Sequence, residues 1–117
     1  MSEEIIDIKE FLERVQDDRD LLVELLDIYV EDFGQKRKIF EAAVQKKDLE
    51  QIKTVAHSMK GSSGNISAHA IHACWLKVEL LAKNSDINGI PDVLKEIDSL
   101  FAQLKSFVVQ LKQDLKK

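Results

Sequence analysis

Apolar residues recur along this chain at intervals of three and four, the spacing of one face of a helix. Ile5, Ile8, Phe11, Leu12 and Val15 form a first, short stripe. "QDDRD" interrupts it and offers Asp17 or Asp18 as an N-cap. A long stripe follows over about residues 19–46. It runs through Leu22, Leu25, Leu26, Tyr29, Val30 and Phe33, then Ile39, Phe40, Ala43 and Val44. Gly34 lies inside this stretch and is expected to bend the helix at most. "KKD" at 46–48 reads as a tight turn, with Asp48 capping the next helix and Gln51 as a capping-box-like partner.

That next helix carries Leu49, Ile52, Ala56 and Met59 and is expected to end near Gly64 and Asn65. Ser67 is the expected N-cap of the following stripe, Ile71, Cys74, Val78, Leu81 and Ala82. Trp75 borders that stripe and is expected to be partly buried. "NSDINGIPD" at 84–92 reads as a loop. A last helix over about 91–115 carries Val93 or Leu94, Ile97, Leu100, Phe101, Leu104, Val108 and Leu111. No segment alternates as a strand does. These elements imply an all-α fold, a single domain over 1–117. Its expected form is an antiparallel up-down four-helix bundle with a short extra N-terminal helix.

Composition adds compartment and partner class to this picture. The single cysteine, Cys74, excludes an intramolecular disulfide and suits a reducing compartment. The N-terminal "MSEEIID" lacks the basic and apolar segments of a signal peptide. No apolar run approaches the ~20 residues that span a bilayer. A cytoplasmic monomer, with neither nucleic acid nor membrane as partner, is the expected reading. The net charge of −4 is unevenly spread. Residues 1–32 hold 12 acids against 3 bases, whereas residues 33–62 hold 3 acids against 7 bases. The basic middle contains the one stretch that strains the helical pattern, "AHSMKGSSGN" at 56–65.

A glycine inside a helix costs about 1 kcal/mol relative to alanine, and this stretch has two. On a helical wheel His57 points away from the core stripe. It shares an arc of about 100° with Lys53, Lys60, Gly61 and Gly64. A solvent-facing imidazole is a nucleophile. Lysines beside it favour a group carrying negative charge, and glycines clear the surface for a second macromolecule. Phosphoryl transfer between proteins needs this combination, because its chemistry is mostly positioning and charge stabilisation. Gly64 can equally serve to end the helix, whereas Gly61 lies within it.

"AHSMKGSSGNISA" resembles the signature of histidine-containing phosphotransfer domains, roughly H-x-[LM]-K-G-S-[SA]-x-x-[LI]-G. His57, Met59, Lys60, Gly61, Ser62, Ser63 and Ile66 match it. Downstream, Cys74, Val78, Glu79, Ala82 and Lys83 fill positions similar to the family's. Upstream, "LLVELLDIYVEDF" resembles its second helix, so the likeness spans most of 19–83. The resemblance implies that His57 is the phosphoacceptor, through Nε2. It implies that Lys60 neutralises the incoming group and that Gly61 leaves room for the partner. Glu79 would bond the other ring nitrogen, and Lys83 would add positive charge. Ser67 departs from the pattern, standing where the family usually has glycine; a small change of turn geometry is expected.

The implied partners are response-regulator receiver domains and a hybrid sensor histidine kinase. No cofactor is expected on this chain, and the Mg²⁺ of the reaction would belong to the receiver. The apolar face of the first helix offers Ile8 and Phe11 as further docking residues. Two rival readings are a helical interaction module without chemistry and the isolated phosphoacceptor domain of a chemotaxis-type kinase. A chain running from Met1 to "QDLKK" is expected to be free-standing. No GxxxxGK[ST] loop or other glycine-rich ATP loop is present, so self-phosphorylation from ATP is not expected. His69 and His72 are three apart, but no carboxylate is well placed with them; no metal site is expected.

Overall fold

The fold is described from a computed structural model covering residues 4–115. Residues 1–3, 116 and 117, at the two ends of the expected domain, lie outside the described residues. The helices are α1 (Ile8–Arg14), α2 (Arg19–Gln45), α3 (Leu49–Asn65), α4 (His69–Lys83) and α5 (Ile90–Leu115), with a 3₁₀ turn at Ile87–Gly89. No strand occurs among the described residues. The caps follow side-chain chemistry. Asp7, Asp18 and Asp48 each accept a hydrogen bond from the amide three residues on, satisfying a donor that the first helical turn leaves free. Asp18, rather than Asp17, therefore starts α2. The expected loop at 84–92 is shorter than its composition implies: Asp86 caps the 3₁₀ turn, which runs directly into α5.

Helices α2 to α5 close a ring in which each packs against its two neighbours, α2 on α3, α3 on α4, α4 on α5 and α5 on α2. Contacts across the ring run in opposite order along paired helices. Tyr29 meets Ser63 and Lys36 meets Ser58 between α2 and α3. Between α2 and α5, Asp27 meets Lys112 and Arg37 meets Asp98. The core inside the ring is the stripe set read from the sequence, with Leu22, Leu26, Phe40, Ile52, Met59, Ile71, Val78, Ile97 and Leu104 almost wholly buried. Burial of this kind is the main favourable term for a chain whose single cysteine allows no internal disulfide. Trp75 is fully buried rather than partly so, and its ring lies edge-on to Phe40 at 5.2 Å and to Phe33 at 6.2 Å. Ile39, by contrast, is 47% exposed and belongs to the outer face of α2.

Three expectations near α1 are corrected. Phe11 is 1% exposed and part of the core, so it cannot meet a partner. Ile8 is half-buried against the same core. The apolar face of α1 is thus spent on the bundle itself. Ser67 does not cap α4: its φ is 60°, the left-handed region, and Ala68 occupies the N-cap position without a side-chain bond. Ser67 instead ends α3. Its amide bonds to the Gly64 carbonyl and the Ala68 amide to the Ser63 carbonyl, the paired bonds of a Schellman turn. The buried Ser67 hydroxyl donates to Glu10 Oε1 at 2.8 Å, and its carbonyl accepts from the Asp7 amide, which ties α1 to this turn. A left-handed non-glycine residue costs about 1 kcal/mol. Ser67→Ala keeps that strain and loses the hydroxyl bond, whereas Ser67→Gly loses the bond but relieves the strain. The glycine variant should therefore be about 1 kcal/mol the more stable of the two in urea denaturation.

Candidate functional site

The centre of the site is the seam between α3 and α4. His57 lies near the middle of α3 with its side chain 72% exposed. Across the seam, Glu79 of α4 is three-quarters covered and presents both carboxylate oxygens to α3. The His57 ring meets Oε2 at 2.8 Å through Nδ1, and the Lys60 ammonium donates to Oε1 at 2.7 Å. A carboxylate can only accept, so Nδ1 carries the hydrogen of this bond, and in the neutral ring the lone pair is then on Nε2, directed away from Glu79. The motif spacing makes this possible. Residues 57 and 60 are one turn apart on a helix, so one carboxylate can hold both.

The carboxylate is charged where it matters. The Lys60 hydrogen bond, opposed by burial and reinforced by His57, holds the Glu79 carboxyl below its ordinary value of 4.5. A group whose folded value is depressed contributes stability above its unfolded value and loses it as pH falls through the folded one. Urea midpoints should therefore fall as pH drops below about 4.5. Glu79→Gln should flatten that part of the profile.

The remaining sequence-derived residues divide. Gly61 follows His57 by one turn, and a Cβ there would meet no other heavy atom within 4 Å. Lys53 precedes His57 by one turn and Lys83 follows Glu79 by one turn. Both are exposed and have no ion-pair partner among the described residues. Lys60 differs from them, since its charge is already engaged by Glu79 and its side chain is only 23% exposed. Gly64 stands in the last turn of α3, which ends at Asn65 as the sequence implies, but it does not open to solvent as Gly61 does. A Cβ at 64 would stand 3.1 Å from His72 Nδ1. That nitrogen donates to the Lys60 carbonyl at 2.8 Å, so Gly64 makes room for an internal contact between α3 and α4. Ile8 and Phe11 lie on α1, which meets α3 at its far end through the bond from Arg14 to the Gly64 carbonyl.

The docking surface that the first helix does not provide has a counterpart on α2. Leu21 and Ile28 are 39% and 56% exposed. Leu25 and Ile28 line a groove of about 210 Å³ with Ser62, Asn65 and Ile66 of the α3 C-terminal end. Residues 21, 25 and 28 have helical spacing and form a second apolar stripe beside the core stripe, a signal present in the sequence. The histidine pair expected to lack carboxylates also reads differently. His69 stands with Asp7 and Glu10, their donor atoms all within 4.8 Å. Glu10 there is already bonded by Ser67, Arg14 and His69.

A family model described as Hpt domain matches residues 24–107. The crystal structure of histidine-containing phosphotransfer protein B from Pseudomonas aeruginosa PAO1 superposes with a TM-score of 0.88 at 24% identity. The alignment covers 97% of this chain and 98% of that one. The likeness is one of fold. No curated protein matches.

Proposed function

This chain belongs to the Hpt domain family, the histidine phosphotransfer modules of phosphorelays, and from that premise we propose that His57 is its phosphoacceptor. In this reading His57 takes the group from an aspartyl phosphate on a response-regulator receiver domain and passes it to another receiver aspartate. The Nε2 lone pair attacks phosphorus, an N–P bond forms, and the P–O bond to the aspartate breaks, returning it as a carboxylate. The ring becomes cationic in the process. Its Nδ1–H faces the ionised Glu79, which stabilises that charge and holds the ring orientation. Mg²⁺, bound by the receiver, would offset charge on the phosphoryl oxygens. The observation that carries the reading is the Nδ1 bond to Glu79, because it leaves Nε2 as the free, solvent-facing nucleophile.

Lys60 acts in this scheme chiefly by fixing Glu79, and the unpaired Lys53 and Lys83 supply the positive field for the arriving group. Gly61 lets the receiver approach. Exposed Leu21 and Ile28, with half-buried Leu25 between them, run on to the α3 surface beyond Gly61 and supply the apolar part of the receiver's footprint. In this reading the protein works in the cytoplasm, between a hybrid sensor kinase and its regulators. The test is transfer of label from phosphorylated receiver domains of the same organism. Label on this chain should be stable in base and lost in acid, as an N–P bond is. Base-labile label, or no transfer from any of those receivers, would overturn the reading.

A further inference from the structure

Gly34 is a second bare position on a helix. It lies in the middle of the 27-residue α2, it is exposed, and a Cβ there would meet no other heavy atom within 4 Å. Glycine is the poorest helix former after proline, and the protein's own packing does not ask for it. At Gly61 the same feature has a use beside His57. Gly34 opens instead onto an open groove of about 300 Å³ between α2 and α5. In the ring of helices the α2–α5 edge lies opposite the α3–α4 seam that carries His57.

The groove has an apolar floor and a cationic rim. Phe101 and Ala102 form the floor, and Phe33 supports Phe101 by near-parallel stacking at 3.6 Å. Arg37 is held by two hydrogen bonds of 2.9 Å to Asp98, so that acid offsets its charge. Lys38 and Lys105 also line the groove and have no ion-pair partner among the described residues. The Lys105 ammonium sits 5.2 Å from the centre of the Phe101 ring. Two uncompensated cations above an apolar floor complement a molecule with an apolar body and an anionic end. The volume is at the lower end of small-molecule sites, about 300–1,000 Å³.

We propose that the α2–α5 groove is a second binding site, for a small amphipathic organic anion such as an aryl phosphate or aryl carboxylate. The apolar body lies over Gly34, Phe101 and Ala102, and Lys38 and Lys105 hold the anionic group. Because the site is on the opposite edge of the bundle, it can be filled while His57 is engaged.

The probe is 1-naphthyl phosphate, titrated into the ¹⁵N-labelled full chain. Saturable amide shifts should centre on residues 33–38 and 98–105 and leave His57 unmoved. The fluorescence of Trp75, the sole tryptophan, should change along the same isotherm, since Phe33 links it to the groove. Lys38→Glu with Lys105→Glu should weaken binding about tenfold or more. Gly34→Leu, which fills the groove with a good helix former, should do the same. Inorganic phosphate and neutral 1-naphthalenemethanol should both bind far more weakly. Absence of saturable shifts, shifts centred on His57, or unchanged affinity in both variants would overturn the proposal. So would light scattering that shows these variants dissolving a dimer, which would make the groove an interface between copies. None of these readouts depends on phosphoryl transfer.

Discussion

Replacing His57 with glutamine abolishes phosphoryl uptake and leaves the bundle folded. The side chain is 72% exposed, so the change removes almost no packing. Its one side-chain bond among the described residues is to Glu79, and Glu79 keeps its second bond, to Lys60. Glutamine is a good helix former, so α3 is not weakened. What disappears is the ring nitrogen with a free lone pair. The other two histidines lack this arrangement. His72 is half-buried with Nδ1 committed to the Lys60 carbonyl, and His69 lies at the α1 junction beside Glu10. The expected result is loss of label to background in the receiver assay, with an unchanged urea midpoint. Label persisting on the His57→Gln protein would move the acceptor elsewhere.

The helices were legible because their apolar residues recur strictly, and most of the core follows from that recurrence alone. The reach of Glu79 to His57 was less so. Helical phase puts Glu79 at the edge of its stripe, but the contact depends on how α3 and α4 are juxtaposed, which periodicity within one helix does not encode. The resemblance supplied that link. Ser67 was misread because serine is a common N-cap and a rare left-handed residue; the preference was followed and the fold overrode it. Its bonds to Asp7 and Glu10, more than fifty residues away, are what make the unusual conformation tolerable. Phe11 was misassigned for a related reason. A short amphipathic helix announces an apolar face but not what covers it, and here the bundle's own core does. The stripe at Leu21, Leu25 and Ile28 was visible in the spacing, but the adjacent core stripe obscured it.

Gly61→Gln should make the protein more stable and a far poorer phosphoryl carrier, two effects of opposite sign from one substitution. The stability gain follows from the open space at position 61: no other heavy atom lies within 4 Å of a Cβ there. Glutamine then recovers only intrinsic helix propensity, about 0.5 kcal/mol, a rise of about 2 °C in Tm. The functional loss follows from the same open space. Position 61 is one turn from His57 on the same face, so a long side chain there stands where the receiver must bring its aspartyl phosphate. In-line transfer needs the reacting atoms about 3–3.5 Å apart, and displacement by about 1 Å costs on the order of 100-fold in rate. Gly64→Gln separates the two kinds of glycine. There the new side chain would meet the His72 ring at 3.1 Å, so it should lower the melting temperature instead of raising it. A Gly61→Gln protein that melts higher and still transfers at the original rate would show that the receiver does not approach over this face. A mid-helix glycine that costs stability and serves no contact within its own fold is explained by what must come near it, and His57 is the one exposed nucleophile beside this one.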